Sequence, residues 1–425
     1  MGDTLVCGID IGSSKIATIV GIDSRENNEV RIIGFNCTPS KGVKKGLIVD
    51  IDQVTNTVEE SVEKAERMAG HKIQRAFVSV GGPHISSINS HGVVAVSNPQ
   101  VEIVPEDVNR VSEAARAISL STTRQIIETS PREYSVDGQN GIKNPIGMSG
   151  VRLEVDMHII TASSTNLKNI DRVLADLGIQ NNGFIFAGLA SGEAVLTETE
   201  KDLGVAVVDI GSGKTDICIY IEGALAYSAS IPIGSRHITN DIAVGLRVSL
   251  ESAEKIKIYL SNHGKSLLDP IKKKHAVEQI DLRNLGLPEN IGDITVKTVV
   301  EGIIAPRIEE IYQYIGDEIE KSNFAKMIPS GLVISGGGAQ TIGMVEIGRK
   351  SIGLPIRVGF PEKAVGLVDE ILDPQFASTL GLIFYGRRHI IDEHHTGKDF
   401  QSIIRDFNIG NSFEKVKGFL KQFIP

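Results

Sequence analysis

A chain of 425 residues is too long for one ordinary hydrophobic core and predicts two or more domains. With 41% hydrophobic and 23% charged residues, it has the composition of a globular protein. The net charge of −9 argues against a nucleic-acid partner, which needs a basic surface to displace counterions, and restricts any contact with an anionic membrane to a local patch.

Cys7, Cys37 and Cys218 are scattered and imply no pairing, so a reducing cytoplasm is expected. The start Met1-Gly2-Asp3-Thr4 leads straight into strand-like residues without a signal-peptide pattern. No apolar run approaches the roughly 20 residues of a spanning helix.

Residues 4–22 read as a hairpin around Gly8-Ile9-Asp10-Ile11-Gly12-Ser13-Ser14-Lys15, with a third strand at 30–35. In the stretch 51–69, Val54, Val58, Val62, Ala65 and Ala69 recur at helical spacing, and Gly70 stops the helix. Residues 76–82 form the next strand, closed by Gly81 and Gly82. Residues 83–162 change style. A strand (92–97), a helix opened by Pro105-Glu106-Asp107 (105–118) and strands at 126–136 and 153–161, with a loop at 137–150, are enough for a small domain of their own. A helix at 168–177 ends at Gly178, and a connecting helix follows through Gly188 and Glu193.

The hairpin signal then returns in Val207-Val208-Asp209-Ile210-Gly211-Ser212-Gly213-Lys214-Thr215-Asp216. Two copies of Asp-Ile-Gly-Ser followed by Lys, half a chain apart, point to two related lobes facing one cleft. Glycine turns expose backbone N–H groups that can wrap an anionic oxygen. Asp10 and Asp209, at the mouths of the turns, suit a hydrated Mg²⁺, which keeps its waters and takes one or two carboxylates. Gly234-Ser235 follows the hairpin within Ile231-Pro232-Ile233-Gly234-Ser235-Arg236, and in a helix at 249–257 Glu254 and Lys257 lie three apart on one face, as a ligand-facing pair or a solvated ion pair. Residues 262–300 are polar and short-stranded. A helix over 300–319 is expected to be interrupted at Pro306 with Arg307 exposed. The strand from Gly331 breaks into Gly336-Gly337-Gly338, where backbone can lie flat against a purine and ribose.

Residues 387–411 are polar and poorly periodic and read as a linker, His394 and His395 included. Beyond it, Phe413, Val416, Phe419, Leu420, Phe423 and Ile424 fall within an arc of about 140° at helical spacing. Lys415, Lys417 and Lys421 lie outside that arc, and Asn411 or Ser412 can cap the start. So short a helix folds only on something. It docks on its own core or lies in a membrane interface, and its Phe/Lys composition favours the membrane.

The paired hairpins resemble the phosphate 1 and phosphate 2 motifs of the ATPase superfamily of actin, the heat-shock chaperones and the sugar kinases. Neither is a Walker A loop. The stretch 76–85 and the compact insert after it narrow the resemblance to the FtsA family of bacterial cell-division proteins, over about residues 4–385 and the tail. The resemblance implies an α/β, actin-like two-lobed ATPase fold with mixed sheets flanked by helices and a small α+β inserted subdomain. Lobe 1 would span 1–82 and 163–200, the insert 83–162, lobe 2 201–237 and 301–386, and a small subdomain 238–300. A linker (387–411) and a membrane-targeting helix (412–425) would follow.

By that resemblance ATP lies against Gly12, Ser13, Ser14, Lys15, Gly211, Ser212, Gly213, Lys214, Thr215 and Gly234, with Glu254, Lys257 and Gly336 to Gly338 around adenosine. Asp10 and Asp209 hold Mg²⁺ through water, with Asp209 also counted as catalytic. Glu193 either orients the attacking water or is a surface helix residue. Arg307 either meets the C-terminal peptide of FtsZ or is a helix-surface arginine. Further partners are the chain itself in an actin-like protofilament, anionic lipid and later division proteins, at the cytoplasmic face of the membrane at the septum. ATP would act as a switch, with at most slow hydrolysis. The rivals are an actin-like platform of a type IV pilus machine, a small-molecule kinase and a chaperone, the last lacking room for a substrate domain after residue 386.

Overall fold

Both glycine turns close in the same way. Gly12 N–H donates to Lys15 O at 3.0 Å and Gly211 N–H to Lys214 O at 2.9 Å. The flanking strands are β1 (Thr4–Ile11) with β2 (Lys15–Ser24), and β12 (Val205–Ile210) with β13 (Thr215–Ile221). The chain was described from a computed structural model covering residues 4–24, 29–97, 102–263, 285–289, 295–362, 364–366 and 370–396.

Around each hairpin the same sheet is built. In lobe 1, β3 (Glu29–Pro39) extends the hairpin, and β6 (Arg75–Val80) and β11 (Gln180–Phe186) add in parallel on the far side of β1. In lobe 2, β14 (Ala224–Ile231), β15 (Leu332–Ser335) and β16 (Ile356–Val358) repeat that order around β12. A short strand β17 (Ala364–Gly366) pairs parallel to β3, and β4 (Val43–Lys44) and β5 (Leu47–Ile48) form a separate two-stranded ladder. The sequence repeat is therefore also a repeat of topology.

Helix α1 (Ile51–Ala69) is capped by Asp50, which accepts from Gln53 N–H at 3.0 Å, and ends on Gly70 at φ 70°. It buries Val54, Val58, Val62 and Ala65, as its spacing predicts. Each valine contributes on the order of 1.5–3 kcal/mol of burial.

Between β6 and β11 lies the insert, where the sheet order is β7 (Ser86–Ala95), β10 (Arg152–Ser163), β8 (Arg124–Val136), β9 (Gln139–Ile142). It is covered by α2 (Pro105–Arg116) and followed by α3 (Ser164–Asp176). Its core, centred on Leu153, Val155, Met157 and Val111, is separate from those of the two lobes. The expected loop 137–150 holds β9, so the unit has one strand more than its sequence predicts. It docks on edge strand β14: Ser87 Oγ donates to Ser228 O at 2.6 Å and Asn89 Nδ2 to Ala226 O at 3.2 Å.

β12 and β13 are buried on both faces. Val207, Cys218 and Tyr220 join the lobe 1 core, while Val208, Ile217 and Ile219 join the lobe 2 core. Helix α4 (Ala187–Val195) packs between the two sheets, and the C-terminal helix Ala377–Thr396 packs along α4 on the lobe 1 sheet.

Two expectations need correction. The helix at Pro306 is not interrupted. A turn at Val296–Val299 passes through a π-turn, Val300–Ile304, into Ala305–Lys321, so the wider turn falls just before the residue that lacks an N–H. The linker does not begin at 387, because the ten residues 387–396 continue the helix to Thr396. Arg387 pairs with Asp23 at 2.8 Å and Arg388 with Glu193 at 2.9 Å, and Gly397 is the first helix breaker after Gly386. The tail positions Phe413, Val416, Phe419, Leu420, Phe423 and Ile424 lie outside the described residues, as does most of 262–294.

Candidate functional site

The two glycine turns face each other across a cleft of about 700 Å³. Gly213 lies against Ser13 and Lys45, so the turns nearly touch. Gly12, Ser13, Ser14 and Lys15 line one wall, and Gly211, Ser212, Gly213 and Lys214 the other. Asp10 and Asp209 also line the cleft, and Glu254, Lys257, Gly336 and Gly337 line it as well.

Three expected residues, Thr215, Gly234 and Gly338, stand behind the wall instead, and Gly336 lines the cleft while also packing against the protein's own backbone. Thr215 is fully buried and donates its hydroxyl to Ile233 O at 2.8 Å, so it is a brace for the second hairpin. A side chain at Gly234 would strike Gly211 O and Ser212 O; its glycine is required by the hairpin. One at Gly336 would strike Asp209 Oδ1, and one at Gly338 would strike Ile210, so those glycines serve the protein's own packing. Only Gly337 has open space over it, with nothing nearer than Gln375 Cβ at 3.7 Å.

Glu193 does not reach the cleft. It pairs with Arg388 at 2.9 Å and Lys201 at 3.6 Å on the opposite side of α4. At 100° per residue it lies about 200° from Ser191, whose side chain reaches Asp209, while Ala187 at the start of α4 lines the cleft itself. Ser191 Oγ donates to Asp209 Oδ2 at 2.5 Å. Arg307 is half-buried, not exposed. Its guanidinium holds Asp241 through Nε at 2.5 Å and Nη2 at 3.1 Å, and also pairs with Glu310.

Glu254 and Lys257 pair at 2.8 Å and share Thr239, whose hydroxyl donates to Glu254 Oε2 at 2.5 Å and accepts from Lys257 Nζ at 2.9 Å. That triad borders the cleft with Leu250, Ile258 and Asn262. The segment after residue 372 carried no sequence signal. Asp373 Oδ1 accepts from Gln340 Nε2 at 2.6 Å and Pro374 O from Gly336 N–H at 3.0 Å. Gln375 Oε1 accepts from Lys15 Nζ at 3.0 Å, and the Phe376 ring lies 3.8 Å beneath that ammonium. Arg236 likewise lines the cleft beside the second hairpin, its N–H donating to Ser212 O at 2.9 Å.

The charges differ between the walls. Burial pulls Lys15 down to about 8, against the opposing pull of Cys37 and Asp10. For Lys214 burial works against the charge, but Asp216, Asp209 and Asp10 together outweigh it and raise the pKa. Burial pushes Asp209 up to about 6, with Lys214 opposing and Asp216 and Asp10 adding to the rise. Asp10 accepts from three hydroxyls, Ser79, Ser378 and Thr379, and neither it nor Asp209 has an ion-pair partner among the described residues. No cluster of three or more metal-ligating side chains occurs among those residues. Two carboxylates without a cage fit a cation that keeps most of its water. Two turns of N–H groups with two lysines fit a polyphosphate.

Comparison with known proteins agrees with this architecture. Residues 206–381 match the family described as "Cell division protein FtsA", and residues 82–161 match "SHS2 domain inserted in FTSA". The chain is 36% identical to Cell division protein FtsA of Borreliella burgdorferi over 426 residues, covering 100% of both. To that of Pseudomonas aeruginosa it is 36% identical over 384 residues, 90% of this chain and 89% of the relative. Among solved structures, the "PilM-PilN type IV pilus biogenesis complex" matches at TM-score 0.61 and 14% identity, covering 90% of this chain and 98% of that one. MreB5 of Spiroplasma citri bound to ADP matches at TM-score 0.51 and 12% identity, covering 93% and 99%. These likenesses establish the fold, that of actin-like ATPases. With relatives aligned from end to end and a family-specific insert at the place where the fold puts it, the chain belongs to the FtsA family of bacterial cell-division proteins.

Proposed function

We propose that this chain binds ATP with Mg²⁺ in the interlobe cleft and uses the bound state as a switch for self-assembly. In that role it tethers FtsZ filaments to the cytoplasmic face of the membrane at the division septum and helps recruit later division proteins. The observation that carries the ATP reading is the pair of matching hairpins facing each other across one cleft, with Gly337 open on the adjoining side. Ser13, Ser14, Lys15, Ser212, Gly213 and Lys214 would hold phosphates, and Asp10 and Asp209 the hydrated cation. Glu254, Lys257 and Gly337 would border adenosine. Glu193 has no part in this reading, because it faces away. The cation supplies charge neutralisation at the phosphates; these residues bind and orient.

The tethering part rests on the Phe/Lys pattern of residues 412–424. Six apolar side chains on one short helix give weak, reversible anchoring, which many tails on one polymer strengthen by effective concentration. The cleft reading makes ATP–Mg²⁺ binding measurable by calorimetry on the full chain. For the tether, full-length chain and a version ending at Asn411 are sedimented with anionic liposomes, with and without ATP–Mg²⁺. The full chain alone should pellet, and more with nucleotide. If both versions stay in solution, the tether reading is wrong.

A further inference from the structure

We infer that Ser378 and Thr379, in the first turn of the C-terminal helix, are positioning residues for Asp10, so that cation-dependent nucleotide binding is felt directly by that helix. The inference rests on the cleft being an ATP–Mg²⁺ site. It starts from an asymmetry between the carboxylates. Ser378 Oγ donates to Asp10 Oδ2 at 2.8 Å and Thr379 Oγ1 to the same oxygen at 3.2 Å, while Ser79 Oγ donates to Oδ1. A carboxylate offers about four acceptor positions, so three are filled and about one is left toward the cleft. Asp209 takes Ser191 on Oδ2.

Thr379 is fully buried and Ser378 is 7% exposed, so these are interior contacts. Serine and threonine within a helix commonly bond back to their own helix, but here both hydroxyls turn to a strand of the other layer. Hydroxyl donors also suit the task. They fix the carboxylate's orientation while leaving its negative charge for a hydrated cation, which a lysine or arginine partner would neutralise.

The same helix is locked to α4. Gly381 lies on the Ala190 carbonyl so closely that any side chain would clash, and Arg388 pairs with Glu193 at 2.9 Å. Since α4 carries Ser191, each cleft carboxylate is held by one member of a single helix pair. A change at either aspartate is therefore a change in that pair, and one member leads toward residues 397–425.

The test uses the full chain carrying Ser378→Ala and Thr379→Val, which keeps the threonine's shape. ATP affinity is measured by calorimetry in Mg²⁺ and in EDTA, and hydrogen exchange is followed over 377–388. The gain in affinity that Mg²⁺ confers should fall about tenfold, with the EDTA affinity unchanged. Slowing of exchange in 377–388 by ATP–Mg²⁺ should be lost, and Thr379→Ser alone should behave as wild type. Equal losses in both buffers mean that the hydroxyls only pack, and no loss means that Asp10 does not need them; either overturns the inference. If the double variant does not fold, the Ser378→Ala single carries the same comparison. A wild-type chain whose ATP affinity ignores Mg²⁺ overturns the cleft reading itself, and this inference with it.

Discussion

The two glycine hairpins share sequence, turn bond and sheet position, yet they hold their lysines in opposite ways. The cause is one cross-strand position. Ala17 faces Asp10 in the first hairpin, whereas Asp216 faces Asp209 in the second. Asp216 pairs with Lys214, whose stem threads between Gly46 and Gly81 of the other lobe. Lys15 has no carboxylate at that register and rests on Gln375 and Phe376 instead. One lysine is thus neutralised as part of the lobe contact, and the other is stored on uncharged groups. A shared motif fixes the turn; the residue two places beyond it decides what its lysine does.

The largest effect should come from breaking the second arrangement. Asp216 is fully buried and also accepts from Ser230 Oγ at 2.5 Å. Asp216→Ala leaves Lys214 without its partner and Ser230 without an acceptor. A broken buried pair costs about 3–5 kcal/mol; because Lys214 keeps one side on the cleft, we expect about 2 kcal/mol. Urea unfolding reads the loss. Adding Lys214→Met should recover most of it, since the uncompensated charge is then gone. A double variant no more stable than Asp216→Ala would show that Asp216 acts through packing.

Next in size is the contrast between lysines in polyphosphate binding. Lys15 can give its whole charge to a ligand, whereas Lys214 shares its charge with Asp216. Lys15→Met should weaken ATP binding about tenfold or more, and Lys214→Met only a few-fold. Equal losses would mean that the ligand displaces Asp216, and the two hairpins would then be functionally alike.

Those differences mark how far the sequence could be read. The Asp-Ile-Gly-Ser repeat made both turns, their strands and the shared cleft legible, because glycine and alternating apolar residues act locally. Gly70 as a helix stop and the insert as a separate unit were legible for the same reason. What failed was phase and distance. Glu193 stood in the expected helix but on its far side, two residues from the Ser191 that meets the site. Thr215, Gly234 and Gly338 read as ligand contacts because small residues in a motif look alike whether they admit a ligand or a neighbouring strand. Ser79, Ser378, Thr379 and Gln375 gave no signal, since a hydroxyl or an amide becomes a site residue only when a remote element carries it there. The run from Arg387 looked like linker because its helix is held by Asp23 and Glu193, partners far back in the chain.

The smallest effect is a fraction of a proton. Lys15 has a folded pKa of about 8, below the 10.5 of an ordinary lysine. Between those values the unfolded chain binds more protons, so stability rises with pH, and the charged ammonium is a cost below pH 8. A phosphate beside Lys15 reverses that preference by favouring the charged form. Binding of ATP at pH 8.0–8.5 should therefore take up part of a proton, seen in calorimetry as heat that depends on the buffer's ionisation enthalpy. At that pH Asp209, with its pKa near 6, is already ionised and adds little. Lys15→Met should abolish the uptake. Lys214→Met should leave it intact, because Lys214 has a raised pKa and is charged before the ligand arrives. Uptake that survives Lys15→Met and vanishes in Lys214→Met would exchange the roles of the two hairpins: Asp216 would then be the carboxylate that a ligand must dislodge, and the lysine over Phe376 a fixed part of the wall.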